Sequence, residues 1–492
     1  MKSYVKKAVV LFLCGLFLLL FNACNACENT DSGNTSETTA EKNTSAEETE
    51  SPAEDNDYDL KGRISTMKTY YVSSSGSDGN SGLSEDSALL TVTKAVSLMS
   101  GGDKLCLRCG DTFYGSIMLP DGPDRDHPTE ITSYGDGAKP VLSQYKLPYP
   151  SAWERVSDFI WRVDLSDPSC FGGNITELDT NAGFLLVDGK VYGHKRFSTE
   201  GLEKEWDFFS DNRYCYVKTG GESPAALSDD IRIACNIRSI GFSDNIRVTG
   251  IELNGTGGHG ISGTVSGAYI GNCDFINIGG SELPGYPKPD TRYGNCIECW
   301  SDSSDVLVEN CRFTGVYDVA FTMQGQPVYT GWNNIHFRKN VLWDCQQCFE
   351  IWSGEYAGDD EEAGKKVGFV NCSFEDNVCI NSGNCWSFFV RPDKSVSCHL
   401  LIYGLGTPVC DITVRGNTFA NARAASIYKS GGPKEIPDDY KIFDNTFIIS
   451  DGQNICLPGG SSREITDAFD VKIRADNFVV ASDNFVNFLF DE

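Results

Sequence analysis

The chain has 492 residues, including 50 glycines, with 22% charged residues and a formal net charge of −28. One compact globule of this length would be unusually large, whereas a repeating architecture grows along a single axis. The acidic balance argues against nucleic acid or anionic lipid as a partner, because either would require a basic face.

Residues 1–23 have the features of an export signal. Three lysines precede the apolar run AVVLFLCGLFLLLF, and small residues lead into Cys24. The run is short for a membrane span and has the flanks of a signal peptide. The junction LLLFNAC resembles a bacterial lipoprotein cleavage site, which implies that Cys24 becomes the lipidated N-terminus. Phe21 and Asn22 depart from the usual residues there, so plain secretion is the alternative.

Residues 24–60 are rich in Ser, Thr, Glu and Asn and contain few apolar residues. Such a composition cannot offset the entropy lost on ordering, so it predicts a solvated tether between the folded part and an envelope membrane. We expect an exported protein held at the cell surface or envelope, with membrane contact only through the lipid anchor.

Residues 68–144 are predicted to form an N-terminal cap and the first coils. Val92, Ala95, Val96 and Met99 follow the spacing of a short amphipathic helix, which would close the open end of a solenoid. Residues 145–240 contain short alternating strands with Asp-Gly and Asp-Asn turns, which predict a small antiparallel β insertion. Its aromatic residues either fill its own core or form one wall of a sugar-binding cleft.

Residues 241–492 contain a recurring unit, an apolar β-type run closed by Asn and an aromatic residue. The spacing between the Asn residues varies from 28 to 46 residues, and the units are YIGNCDF (269–275), LVENCRF (307–313), FRKNVLW (337–343), GFVNCSF (368–374), TVRGNTF (413–419), KIFDNTF (441–447) and KIRADNF (472–478). Units of this size cannot bury an apolar face alone, so they must stack, strand on strand. Asn at one place in each coil suits a turn in which side-chain amides bond along the stack. The pattern predicts a parallel β-helix.

The segment YYVSSSGSDGNSGLSEDSALLTVTKAVSLMSGGDKLCLRCGDTFYGSIMLP (70–120) resembles the opening of right-handed parallel β-helix proteins of the pectate-lyase-like superfamily. ITSYGDGAKPVLS (131–143) fits the same resemblance as a following coil, and with the Asn units it covers most of residues 70–482. The superfamily includes polysaccharide lyases and several glycoside hydrolases. The resemblance implies an all-β, right-handed solenoid, but this fold supports several chemistries and also inert adhesins.

The chain has 20 cysteines. Cys273, Cys311 and Cys372 lie two residues before a Phe, so they share its face and are predicted to point into the core. The CxxC pairs 106/109, 296/299 and 345/348 lie in predicted strands, where residues three apart face opposite sides. We therefore expect no structural zinc and no resident cofactor.

A second strand in each coil aligns by its inward apolar residues, in the segments CIECW (296–300), AFTMQ (320–324), CFEIW (348–352) and CWSFF (385–389). Alternation then places two columns on the outer face. The first column is Glu298, Thr322, Glu350 and Ser387, and the second is Trp300, Gln324, Trp352 and Phe389. Two coils separate Glu298 from Glu350, which gives about 9.6 Å between their Cα atoms. We expect this face to be open to water.

Paired carboxyl groups and indole rings are typical of sites that cleave glycosides. Glu298 and Glu350 are the predicted acid/base pair, and Asp318, at the turn before the second of these strands, is the predicted substitute. The spacing of the pair leans toward an inverting mechanism. The predicted substrate-binding residues are Trp300, Trp352, Gln324, Thr322 and Arg391. Solvated glutamates and loop-covered tryptophans are the alternative interpretation.

Two further residues have open roles. His259 in GGHGIS is expected to be a hydrogen-bonded turn histidine rather than a base. Arg391 either binds a uronate carboxylate in a bidentate manner or pairs with surface acids.

The leading hypothesis is a monomeric enzyme that hydrolyses a complex polysaccharide. The second is a uronic-acid lyase, which would use Ca²⁺ and a Lys or Arg base; SDSSD (301–305) is the nearest candidate Ca²⁺ site. The third is a glycan-binding solenoid without catalytic activity. The sequence contains no nucleotide-binding glycine loop, hydrolase serine elbow or HExxH motif.

Overall fold

The computed structural model describes residues 68–173, 178–286, 291–355, 367–391, 396–407, 409–430, 436, 439–460 and 463–482. The export signal, the tether and Cys24 lie outside these residues, so lipidation and export stay predictions. Among the helices described, none is long and apolar enough to span a bilayer.

The chain folds as a right-handed parallel β-helix, which confirms the predicted fold class. Each coil contributes a strand to each of three long sheets, and all neighbouring strands within these sheets are parallel. Sheet 1 contains, in the described residues, Thr69–Val72, Lys104–Arg108, Thr129–Tyr134, Ile246–Thr249, Ser266–Gly271, Ser303–Glu309, Gly331–Arg338, Gly368–Glu375, Val409–Arg415 and Tyr440–Phe443.

Sheets 2 and 3 complete the coil. Sheet 2 contains, within the described ranges, Thr112–Tyr114, Val141–Ser143, Glu252–Thr256, Asp274–Ile278, Arg312–Val316, Val341–Trp343, Val378–Ile380, Thr418–Ala420, Thr446–Ile449 and Phe478–Ala481. Sheet 3 contains, over the same ranges, Ile117–Met118, Ile240–Gly241, Ile261–Gly263, Ile297–Trp300, Val319–Gly325, Gln347–Ser353, Cys398–Leu405, Ala425–Lys429 and Cys456–Pro458.

The core lies inside the coil, where equivalent side chains stack on one another. Phe275 stacks on Phe313 with ring centroids 4.7 Å apart, and Phe337 stacks on Phe374 at 5.3 Å. Strand alternation explains these columns, because every second residue of each strand points inward. Cys273, Cys311 and Cys372 are buried in the same core, as predicted. The cysteines that the structure describes are all free thiols.

Asn residues form a ladder at the turn from sheet 1 to sheet 2, as the repeat predicted. The side-chain Nδ2 of each Asn donates to the side-chain Oδ1 of the next, at 2.9 to 3.0 Å. The ladder runs along Asn340, Asn377, Asn417, Asn445 and Asn477. The predicted members Asn272 and Asn310 are wrong by one residue. They occupy the preceding left-handed position of the turn, with φ of 52° and 56°, while Cys273 and Cys311 take the ladder position.

Asn371 was also placed wrongly in the ladder. It lies in a sheet 1 strand and bonds to Asn334, while Asn377 is the true member from that coil. Asn371 is followed by Cys and lies three residues before a Phe, as Asn272 and Asn310 do, so the motif alone could not separate it from the turn positions.

Helices close the two ends of the coil. The predicted capping helix is Val92–Leu98, with Val92 and Ala95 buried. At the other end, Arg463–Ala475 packs Phe469 and Ile473 against the core. The shorter helices within the described part of the chain are Glu85–Ser87, Pro150–Ala152, Pro168–Cys170, Pro224–Leu227 and Trp386–Phe389.

The predicted antiparallel insertion interrupts the early coils. One sheet runs in the order Phe171–Gly172, Tyr145–Pro148, Ile231–Cys235, Ala182–Val187 and Lys190–Tyr192, and a second in the order Phe208–Ser210, Tyr214–Lys218, Ile160–Asp164 and Glu154–Arg155. Trp153, Trp206 and Phe208 are buried in the insertion's own core. A short antiparallel pair, Ser281–Glu282 with Arg292–Tyr293, lies beside it.

Candidate active site

Sheet 3 brings the two predicted glutamates into one column. Glu298 pairs with Thr322, which pairs with Glu350, and Trp300 pairs with Gln324, which pairs with Trp352. The register predicted from the inward apolar residues is therefore correct for these three strands. Two strand spacings put the Cα atoms of Glu298 and Glu350 about 9.6 Å apart.

The fourth predicted strand is wrong. Residues 386–389 form the helix Trp386–Phe389, and Cys398–Leu405 is the next strand of the sheet, with Leu401 following Glu350 in the column. Trp386 does not enter the coil, because it packs on Phe184 of the insertion and on Tyr317, at centroid distances of 5.1 and 5.3 Å. Ser387 is therefore not a member of the glutamate column.

Glu298 is held by four side chains. Trp300 Nε1 donates to its Oε1 at 2.9 Å and Gln324 Nε2 donates to the same oxygen at 2.6 Å. Asn295 Nδ2 donates to Oε2 at 3.1 Å, and His259 Nδ1 lies 2.9 Å from that oxygen. Burial opposes ionisation, but the His259 charge and these hydrogen bonds outweigh it and lower the pKa of Glu298 to about 2. Glu298 is thus a fixed carboxylate with both oxygens occupied.

His259 Nδ1 has two neighbours that compete for it. Besides Glu298, the backbone nitrogen of Asn295 lies 3.1 Å away. A hydrogen on Nδ1 excludes the second bond, and a carboxylate is the stronger partner. We therefore assign the Nδ1 hydrogen to the bond with Glu298. The ring is held edge-on by Tyr293, at a centroid distance of 4.9 Å.

Glu350 differs from Glu298, because its environment favours the protonated, neutral form of the carboxyl group. Its side chain is buried, and Thr322 Oγ1 donates to its Oε2 at 3.1 Å. Burial raises the pKa of Glu350 to about 8, with a further upward contribution from the Asp318 charge and a smaller one from Glu298. Glu350 therefore carries a proton at neutral pH.

Asp318 and Arg391 complete the site. Arg391 Nη1 donates to Asp318 Oδ1 at 2.8 Å and to the Tyr317 carbonyl at 3.3 Å, and its guanidinium lies over the Tyr317 ring. Of the two alternatives for Arg391, the structure shows pairing with an acid. Asp318 Oδ2 accepts no hydrogen bond from the described residues, and 21% of the side chain is exposed.

The expectation that both glutamates face open water is wrong. Glu298 is 5% exposed and Glu350 is 9% exposed, because the polar neighbours of each close around it. Trp300 is the open member, with 42% of its surface exposed and its indole fixed by Glu298. Trp352 is half-buried and lies against Gly404, where an added Cβ would be 3.0 Å from its Cδ1 atom.

Thr322 is fully buried and bonded to Glu350, which favours a positioning role over direct contact with a substrate. Sequence reasoning missed Asn295 entirely and did not connect His259 to Glu298. Their positions in the sequence were the available signal. His259 and Asn295 each lie two residues before a sheet 3 strand, so both lie at the edge of the sheet where Glu298 is held.

The lyase hypothesis requires a cluster of acidic ligands for Ca²⁺. In the described part of the chain, no group of three or more His, Cys, Asp or Glu is arranged to hold a metal ion. The candidate segment 301–305 is used structurally: Asp302 Oδ1 accepts three backbone hydrogen bonds from residues 329–331, and Asp305 pairs with Arg125 and Asn334. These residues do not fit a Ca²⁺ site.

Comparison with known proteins finds similarity of fold. No family model matches the chain. No curated protein matches its sequence significantly. Among solved structures, a complex of XylC with xylose is 11% identical, with 79% of this chain and 69% of that chain covered and a TM-score of 0.48. A glycoside hydrolase is 11% identical, with 81% and 98% covered and a TM-score of 0.41. The pectate lyase Pel9A is 14% identical, with 81% and 79% covered and a TM-score of 0.36.

Proposed function

We propose that this chain is a glycoside hydrolase that acts on a complex polysaccharide, with Glu350 as the general acid. The observation that carries the proposal is the contrast between two carboxyl groups in one column, Glu350 kept neutral and Glu298 kept ionised, beside an exposed indole. Pairs of carboxyl groups whose environments push their pKa values apart are the arrangement that glycoside cleavage uses.

The contacts favour Asp318, rather than Glu298, as the proton acceptor. Both oxygens of Glu298 already accept two hydrogen bonds each, which leaves no lone pair for an incoming water molecule. Asp318 has one oxygen bonded to Arg391 and the other without a bond from the described residues. Asp318 also acts on Glu350 more strongly than Glu298 does.

The proposed step is a single displacement. Glu350 gives its proton to the glycosidic oxygen as the bond from that oxygen to the anomeric carbon breaks. Asp318 takes a proton from a water molecule, whose oxygen forms the new bond to the anomeric carbon. Asp318 lies at the turn just before Val319–Gly325, the strand that pairs with Gln347–Ser353, which carries Glu350. A single displacement by a water molecule activated at Asp318 inverts the configuration of the anomeric carbon.

Glu298 is then a positioning residue. It fixes the indole of Trp300 and the amide of Gln324, which are the groups placed to contact a sugar ring and its hydroxyls. Arg391 orients Asp318 through the bond from its Nη1 to Asp318 Oδ1. Anchoring through Cys24, export and a monomeric state are parts of the proposal that rest on the sequence.

The test is a screen of the protein without its first 57 residues against plant and host glycans. Both new reducing ends and ultraviolet absorbance of unsaturated ends should be recorded. We expect reducing ends alone, unaffected by EDTA. Unsaturated ends that EDTA abolishes would indicate a lyase, and binding without cleavage would indicate a glycan-binding solenoid; either result would overturn the proposal.

Three variants separate the roles. Glu350→Gln and Asp318→Asn should each lower kcat at least 100-fold, because each removes a proton-transfer group. Glu298→Gln should act mainly on KM, because it disturbs the bonds to Trp300 and Gln324. If Glu298→Gln lowers kcat while Asp318→Asn remains active, the proton acceptor would be Glu298 rather than Asp318.

A further inference from the structure

A cavity of about 370 Å³ lies at the junction of the coil and the insertion. Sheet 2 provides one side through Thr112–Tyr114, Val141–Ser143 and Glu252–Thr256. The insertion provides the other through Tyr145–Pro148 and Ile231–Cys235. Ligand sites are commonly clefts of this size at the junction of two structural units.

The cavity is separate from the candidate active site. Its coil residues belong to sheet 2, in the early coils, whereas Glu298 and Glu350 lie on sheet 3 in later coils. A ligand in this cavity would therefore not contact the carboxyl groups assigned to catalysis.

Polar groups that line the cavity are held in place by neighbours. Arg232 donates through Nε and Nη2 to the two carboxylate oxygens of Asp230, at 2.7 and 3.1 Å. This geometry leaves its Nη1 available, with no partner among the described residues. Asn254 donates to Glu252 Oε1 at 2.9 Å, which leaves the amide oxygen as an acceptor. A donor and an acceptor that are already fixed reduce the side-chain entropy that the protein loses when a ligand binds.

Aromatic surface accompanies these polar groups. Tyr114 is half-buried, and Tyr145 is fully buried with the Arg232 guanidinium 5.8 Å from its ring centroid. Burial raises the pKa of Tyr114, and the Arg232 charge offsets part of that rise. Sugar rings are bound by this combination of an aromatic face and fixed hydrogen-bonding groups.

The charges of the residues that line the cavity disfavour the binding of an anion. Asp229 and Asp230 contribute two carboxylates, and the one lining cation, Arg232, is already paired with Asp230. We propose that this cavity is a second carbohydrate site that binds a neutral sugar unit of a glycan without cleaving it. Such a site would hold the enzyme on a polymer while sheet 3 acts elsewhere on it. The inference does not depend on the proposed hydrolysis, because binding here requires no turnover.

The test is calorimetric titration of the full-length chain carrying Glu350→Gln, which removes turnover. The probes are xylo-, cello- and galacto-oligosaccharides, with galacturonate oligosaccharides as the anionic counterpart. We expect one neutral oligosaccharide to bind in a step that Tyr114→Ala and Asn254→Ala each weaken at least tenfold. Trp300→Ala should leave that step unchanged, since it acts at the other site.

Phe159→Ala is the matched control, because it removes an aromatic ring of the insertion that is 53% exposed and does not line the cavity. Equal melting temperatures of the two cavity variants and the control would show intact folding. If no neutral oligosaccharide binds with dependence on Tyr114 and Asn254, or if galacturonate oligosaccharides alone do so, the assignment fails. Detection of turnover by the unmodified chain is a separate measurement that decides the proposed hydrolysis.

Discussion

Glu350→Gln should change how the free energy of unfolding varies with pH. In the folded chain the pKa of Glu350 is raised from 4.5 to about 8. A raised folded pKa means that the protonated form is favoured by folding, so stability falls as pH rises between the unfolded and folded values. Glutamine keeps the shape of the protonated acid but cannot ionise, so this loss should disappear.

The magnitude follows from the size of the shift. At 1.36 kcal/mol for each pKa unit, the wild-type chain should lose about 4 kcal/mol relative to Glu350→Gln between pH 5 and pH 9. The residue is 9% exposed, so little of this effect is screened by solvent. The loss should be complete above pH 8 and nearly absent below pH 4.5.

The assay is urea unfolding of both proteins followed by tryptophan fluorescence at pH 5, 7 and 9. Glu205→Gln is the matched control, because that glutamate is exposed and its replacement should leave the pH dependence unchanged. Parallel pH dependences for wild type and Glu350→Gln would refute the reasoning, because Glu350 would then ionise as readily in the folded chain as in the unfolded one.

Other parts of the structure give three further predictions. His259→Ala removes the ion-pair partner of buried Glu298, so it should lower the free energy of unfolding by about 3 kcal/mol. Urea unfolding at pH 7 measures this, and an unchanged free energy would show that Glu298 needs no partner. Asn445→Ala breaks the ladder at both neighbours and should cost about 2–4 kcal/mol in the same assay. Asn212→Ala, at an exposed position without a left-handed backbone, should cost less than about 1 kcal/mol, and equal losses would contradict the ladder. Gly404→Val should displace the Trp352 indole and raise KM severalfold with kcat retained, and an unchanged KM would exclude Trp352 from substrate contact.

Much of the coil could be predicted because its register depends on inward apolar residues. Ile297, Phe321 and Phe349 stack as their spacing indicated, and this alone placed Glu298 and Glu350 in one column. Alternation between two faces is a property of the strand itself, so it needs no knowledge of loops.

The errors occurred where the chain leaves the strands. Residues 385–389 alternate like a strand, but Trp386 finds a better partner in Phe184 of the insertion, and that contact lies about 200 residues away in sequence. The burial of Glu298 also depends on two turns, which supply His259 and Asn295. Contacts between distant loops are not encoded in local periodicity, so the protonation states of Glu298 and Glu350 could not be assigned from it.

The dependence of kcat/KM on pH tests the central claim most directly, on the glycan identified by the screen. If Glu350 acts as the general acid, kcat/KM should fall above about pH 8 as the group loses its proton, tenfold for each further pH unit. A value of kcat/KM that stays constant from pH 7 to pH 10 would show that no neutral Glu350 is required, and would contradict the account.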